Sequence, residues 1–388
     1  MRGQVQALKA VVDGPLGELR ATIRRNLVVM TMAVLEVIGA VRSGQGRLSL
    51  SALARTMPTG TAFKAQYKRL GRFLQNKHFT PEAMIPALVK VVIGPWRRGL
   101  VPILMDQVDI GGTPTLMAGV SHRGRVLPIG FSCFEYEKLR RSQNTLETAF
   151  LTLILASLGA QARAVFVGDR QYGRFQLLRA LNGLGQLYVL RCKSDVILWQ
   201  DGQKRFPRDF PAPHGKAVRY ARLGYRKHGR EPVDLIVFHD PAYKEPWYLL
   251  VPSGSESQLP TARVVAIYRS RMRIEQGFRD WKTHLGVRGL QLKVDRAARL
   301  GRLLLALTLA YIALLLLGAC DWAQRHRPRF EQRRLRARHG TQNTLSVLTL
   351  ARLLLAASDL AAQAQAHLLR LLHNLARGMP AYSPETLS

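Results

Sequence analysis

The sequence predicts a mixed α/β fold: a sheet flanked by helices, with a β-rich insertion and helical regions at both ends. Three observations carry this reading. VPILMD (101–106), TLMAGVS (115–121) and VLPIGFSCF (126–134) are short apolar runs divided by Gly, Pro and polar turns, the pattern of adjacent antiparallel strands. Strand and helix patterns then alternate, with AVFVGD (164–169), the helical QYGRFQLLRALNG, and QLYVLRC (186–192). Both ends of the chain show apolar residues recurring at three- and four-residue steps instead.

In chain order, 21–41 and 61–76 read as helices. PEAMIPALVKVVI (81–93) reads as another, opened by Pro81 and capped by Thr80. The three strand patterns follow, then a helix near 144–158, then the alternating segment. From Lys193 to about Glu245 prolines and glycines divide short strand-like pieces such as AVRYARLGY and DLIVFHD, which marks a β-rich insertion. WYLLVPS (247–253) returns to the sheet, and a helix is expected from about 260 to 284.

Charge narrows the function classes. The 388 residues carry 58 Lys or Arg against 25 Asp or Glu, a formal net charge of +33. Such a surplus meets nucleic acid first and an anionic membrane second. With 47% apolar residues the chain is not disordered. Residues 1–95 hold 14 Lys or Arg against four acids, and Lys64, Lys68, Arg69 and Arg72 cluster on one predicted helix, which favours a phosphate-facing surface. RHRPRFEQRRLRAR (325–338) holds seven Arg in 14 residues, as either a solvated linker or a DNA-backbone contact.

Residues 303–320 are 18 without a charge, long enough for a membrane helix. Thr308, Tyr311 and Gly318 interrupt them, and nothing else resembles a span, so a buried core helix is expected and no membrane partner. Cys133, Cys192 and Cys320 are far apart, with neither zinc spacing nor a disulfide framework, which fits a reducing cytoplasm. The N-terminus lacks a continuous apolar signal core, so no secretion address is expected. The ten histidines are scattered and form no metal motif.

The most informative line begins at Ile267. On a helix of 3.6 residues per turn, Tyr268, Arg271, Glu275 and Lys282 fall within a stripe roughly 60° wide. Ile267, Ile274, Phe278 and Trp281 form an apolar stripe beside it. A phenol, a carboxylate and two cations thus edge a packed face. This spacing, Tyr-x2-Arg-x3-Glu-x6-Lys, resembles the DDE transposases of bacterial insertion sequences, in the subgroup defined by that signature. Two upstream aspartates at strand ends complete the pattern: Asp106, and Asp169, which is followed by Tyr172 and Gly173. Asp109 competes with Asp106, which is preferred because it directly follows VPILM.

The resemblance covers roughly 95–320 and implies a ribonuclease H-like core. On that basis the expected layout is a helical DNA-binding region over 1–95, a catalytic core over 96–192 and 246–320, the insertion over 193–245, and a helical C-terminal region over 321–388. The resemblance implies Asp106, Asp169 and Glu275 as ligands of two Mg²⁺ ions, with Mn²⁺ as a substitute. It implies phosphate contacts from Tyr268, Arg271 and Lys282, and a base-stacking role for Trp247, whose other reading is a core tryptophan. The implied partners are double-stranded DNA, as element ends and target, and a second copy of the chain in the DNA complex. The expected location is the cytoplasm, on the nucleoid when DNA is bound. The rivals are a ribonuclease H-like nuclease or resolvase without strand transfer, and an inactive DNA-binding descendant.

Overall fold

A computed structural model describes residues 2–14, 17, 19–39, 48–94, 97–138, 142–226, 231–240, 245–287, 296–336 and 342–381. Positions 40 and 41 of the first expected helix and Arg338 of the Arg run lie outside them.

The N-terminal helices are α1 (Arg2–Asp13), α2 (Ala21–Gly39), α3 (Leu50–Arg55), α4 (Phe63–Gln75) and α5 (Ile85–Val92). The strands are β1 (Gly99–Ile110), β2 (Thr113–His122), β3 (Arg125–Cys133), β4 (Ala162–Gly168) and β5 (Leu187–Arg191), with α6 (Gln143–Ser157) and α7 (Phe175–Gly183) between them. The insertion contributes β6 (Leu198–Gln200), β7 (Gln203–Arg205), β8 (Ala217–Tyr225) and β9 (Glu231–Phe238), and β10 (Trp247–Pro252) follows.

All ten strands belong to one sheet, in the order β3-β2-β1-β4-β5-β10-β9-β8-β6-β7. β1, β2 and β3 form an antiparallel meander, while β4 and β5 run parallel to β1, reached through helical crossovers. The sheet is the mixed one expected, flanked by helices. β10 pairs antiparallel with both β5 and β9, so the insertion extends the core sheet at its β5 edge. That edge would otherwise present unpaired backbone groups.

The apolar run lies inside α10 (Arg296–Ala319), and 94% of its most apolar window is buried within the protein. α10 packs on α2, α4, β3, α12 (Val347–Ala356) and α13 (Ala361–Ala376), joining the terminal helices to the sheet. Arg302, which directly precedes the uncharged run, sits within this helix and is buried. Its guanidinium donates to Leu74 O at 2.8 Å and Phe79 O at 3.3 Å, filling acceptors left at the end of α4.

The basic run also turns partly inward. Arg327, at the end of the short helix α11 (Asp321–His326), is buried against Glu331 at 2.9 Å, and Arg329 pairs with Asp359. Arg334 donates to Asn343 O at 2.9 Å. Arg325, Arg329, Arg333 and Arg336 stay exposed, while Arg327 and Arg334 are the ones drawn inward. The three cysteines are free thiols.

Candidate active site

β1 and β4 bring the two aspartates together. Their parallel register runs through Leu104↔Val167, and two further steps place Asp106 level with Asp169, the first residue past β4. Adjacent strands lie about 4.8 Å apart and in-register residues share a face, so both carboxylates leave the same side of the sheet. Asp109 is three residues on and therefore faces the other way. Its Oδ1 accepts from Gly112 N–H at 2.8 Å, which closes the β1–β2 turn.

The turn after β4 is held by close approach. Tyr172 is fully buried over Gly168, where a Cβ would sit 2.8 Å from the ring. At Gly173 a Cβ would meet Arg191 O at 2.6 Å, and Tyr225 donates its hydroxyl hydrogen to Gly173 O. Asp169 Oδ1 accepts from Gln171 N–H at 2.8 Å, so the aromatic and the glycine fix the loop that aims the carboxylate.

The expected continuous helix over 260–284 is divided. α8 (Thr261–Arg269) ends where Ser270 Oγ donates to Ile267 O at 2.6 Å, and the next bonds span three residues rather than four. α9 (Met272–Arg279) then opens into a π-helical turn, Asp280–His284, closed by Leu285 N–H to Asp280 O at 2.7 Å. Tyr268 and Lys282 therefore lie on segments separate from Glu275. Lys282 is half-buried on the π turn.

α9 carries Glu275 to the aspartates. Arg271 Nη2 donates to Glu275 Oε1 at 2.6 Å, and its Nη1 reaches Asp106 Oδ2 at 3.5 Å. The guanidinium thus joins two carboxylates that are 169 residues apart in sequence. Burial pushes Asp106 up to about 6; Asp169 and Glu275 add to this, against the Gln107 N–H and Arg271. Glu275 is the open member, 42% exposed at its side chain against 13% for Asp106.

Among the described residues no three of His, Cys, Asp and Glu are grouped tightly enough to hold a metal ion. Arg271 stands between two of the three carboxylates and bridges them. The donor set still fits a hard cation: three carboxylates, one of them kept from ionising freely by burial and then by its acidic neighbours.

The remaining expected site residues divide. Tyr268 is buried, its hydroxyl pushed up in pKa by burial against the pull of Arg271 and Arg191. Trp247 is also buried, edge-on to Tyr268 at 5.0 Å and tilted against Phe238 at 5.6 Å. Lys64, Lys68 and Arg72 are exposed on α4, whereas Arg69 donates to Asn26 Oδ1 at 2.8 Å and ties α4 to α2.

Sequence reading missed the support behind Asp106. Gln107 Nε2 donates to the Tyr136 hydroxyl at 2.9 Å, and Gln107 Oε1 accepts from Gln143 Nε2 at 2.8 Å. Gln143 also donates to Glu147 Oε1 at 2.9 Å, and the buried Glu147 pairs with Arg174. The one available signal was a lone acid, Glu147, in the first half of a helical pattern whose second half is apolar.

A second support is Gly277. A Cβ there would lie 2.3 Å from Val126 Cγ1, so α9 rests directly on β3. Gly277→Ala is expected to push α9 away and displace Glu275. Overpacking of this kind costs about 1–3 kcal/mol, so denaturant unfolding should show a loss of stability of that size. Adding Val126→Ala should recover part of the loss by making room. Wild-type stability of Gly277→Ala would contradict this placement.

Residues 131–312 match the transposase DDE domain family, 182 of the 388 residues. The match includes Asp169 and Glu275, and Asp106 lies upstream of it. The match covers slightly less than half of the chain. Among solved structures, the chain is similar to the piggyBac transposase in a synaptic complex with hairpin DNA. That likeness has 11% identity and a TM-score of 0.43, covering 99% of this chain and 84% of the other. No curated protein matches the chain.

Proposed function

We propose that the chain is a cut-and-paste DNA transposase of the bacterial insertion-sequence type, in the subgroup with the Tyr-Arg-Glu-Lys signature. It binds the inverted-repeat ends of its element, hydrolyses a phosphodiester there, and joins the freed 3′-hydroxyl to target DNA. The observation that carries this reading is that strand register sets Asp106 beside Asp169 while Arg271 links Asp106 to Glu275. Asp106, Asp169 and Glu275 would hold two Mg²⁺ ions, or Mn²⁺ in their place. When bound, the ions supply Lewis-acid stabilisation of phosphate charge and an acidified water.

The chain's own groups do the rest. Asp106 and Asp169 are fixed by backbone N–H donors, so little reorganisation is needed at the moment of reaction. Arg271 orients Glu275 and lies within reach of an incoming phosphate. Lys282 adds a cation near that path. Tyr268 and Trp247 pack on each other at the end of α8. In the first step the oxygen of water bonds to phosphorus and the 3′-oxygen leaves with a proton. In the second that 3′-oxygen bonds to a target phosphorus and the target's own 3′-oxygen leaves. Neither step needs a covalent protein intermediate. Pairing two ends calls for a homodimer in the DNA complex, working on the nucleoid of the cytoplasm.

The test incubates the purified chain with a duplex bearing the inverted repeat that flanks its gene, together with a supercoiled plasmid. End-joined plasmid is expected in Mg²⁺ and none in EDTA. Cutting without joining would indicate a nuclease or resolvase, and binding with neither would indicate an inactive descendant; both contradict the proposal.

A further inference from the structure

α4 presents a face that the catalytic centre does not use. Its inner side, Gln66, Leu70, Phe73 and Leu74, is buried. Its outer side carries Phe63 and Tyr67, each 43% exposed, with ring centroids 5.8 Å apart. Large aromatic side chains on solvent are costly to leave there and mark an interaction surface. Arg55, at the end of α3, lies over the Phe63 ring at 5.0 Å from its centroid. Lys64, Lys68 and Arg72 run alongside at four-residue steps, and α4 contains no acidic residue.

The helix is also rigidly presented. Ser49 Oγ caps α3 by accepting from Ala52 N–H at 3.1 Å. Gln66 donates to Met57 O at 3.3 Å and to Thr59 Oγ1 at 3.1 Å, which fastens the connection between α3 and α4. Arg69 ties the helix to α2. A fixed helix with an aromatic pair flanked by three cations is complementary to a polyanion whose groove floor offers apolar surface. The major groove of duplex DNA is such a surface: it admits an α-helix and exposes thymine methyl groups between phosphate walls.

We propose that the Phe63–Tyr67 face of α4 is the sequence-reading element of the chain. It enters the major groove of the element end, with the aromatic pair against base edges and Lys64, Lys68 and Arg72 on the flanking phosphates. This deepens the transposase reading and rests on it for the identity of the duplex.

The test uses the full chain and a pool of duplexes with a random 20-base-pair centre, at several salt concentrations. The wild-type chain is expected to enrich one sequence. Phe63→Ala/Tyr67→Ala should lose roughly tenfold or more of the preference for that sequence over a scrambled duplex, since base contacts carry discrimination. Its affinity for the scrambled duplex and its thermal midpoint should stay near wild type. Lys64→Gln/Lys68→Gln/Arg72→Gln should instead weaken binding to both duplexes and reduce the salt slope by about 2.7, at about 0.9 per phosphate. Full preference retained by the aromatic variant would overturn the assignment and leave the transposase reading standing. So would unchanged preference with an altered oligomeric mass, which would mark the face as a protein contact. An enriched sequence that the wild-type chain neither cuts nor joins would sink the transposase reading and leave the α4 assignment intact.

Discussion

Asp280→Ala is expected to cost about 3–5 kcal/mol of folding stability, read by denaturant unfolding of the full chain, because it strips one partner from a buried ion pair. Asp280 is 1% exposed and lies on the π turn beyond α9. Its Oδ2 faces Arg125 at 2.8 Å and accepts from the Tyr311 hydroxyl at 2.8 Å, and His284 stands 3.9 Å from Oδ1. Burial raises its pKa, opposed by Arg125 and Tyr311, so the charged form depends on those partners. The carboxylate bolts the end of the helix that carries Glu275 to β3 on one side and to α10 on the other. Asp280→Asn should cost less than the alanine change, since it keeps the hydrogen bond. Tyr311→Phe should cost about 1 kcal/mol, the net worth of one hydrogen bond. An Asp280→Ala chain as stable as wild type would show that the pair contributes nothing to the fold.

This network explains a feature that was visible but unassigned in the sequence. Tyr311 interrupts an otherwise apolar helix because its ring packs in the core while its hydroxyl meets Asp280. Asp169 past the end of β4 and the Glu275 helix were legible because each rests on local pattern: an apolar strand ending in a carboxylate, or a fixed helical spacing. Asp106 instead lies inside β1, which continues to Ile110 through its pairing with β2. The β-rich nature of the insertion was legible too, but its pairing was not. Strand partners are non-local, and nothing in AVRYARLGY or DLIVFHD states that they continue the core sheet through β10.

Side-chain fate was the least legible part. Arg69 and Arg327 look like their exposed neighbours in sequence, yet Asn26 and Glu331 draw them inward. Trp247 opens a strand, where an aromatic can face either way, and pairing with Phe238 together with the end of α8 encloses it. The break between α8 and α9 depends on the Ser270 hydroxyl turning back to Ile267 O, a choice that periodicity does not encode. Arg271 was expected on DNA, and its span between Glu275 and Asp106 needs the three-dimensional approach of α9 to β1.

The central claim is that Glu275 completes a cleaving site with Asp106 and Asp169. Glu275→Gln keeps the shape of the side chain and removes its charge, and Glu275 is accessible enough that the fold should be untouched. Binding of the element end should persist or strengthen slightly, because one negative charge beside the DNA backbone is gone. Metal-ion stabilisation supplies several kcal/mol at the transition state, and each 1.36 kcal/mol is tenfold in rate. The decisive measurement is the single-turnover rate of cleavage of the cognate end in Mg²⁺ by Glu275→Gln beside wild type, with end binding measured in parallel. A fall of several orders of magnitude with binding retained is the expected result. Cleavage near the wild-type rate would remove Glu275 from the site and contradict the transposase reading at its strongest residue.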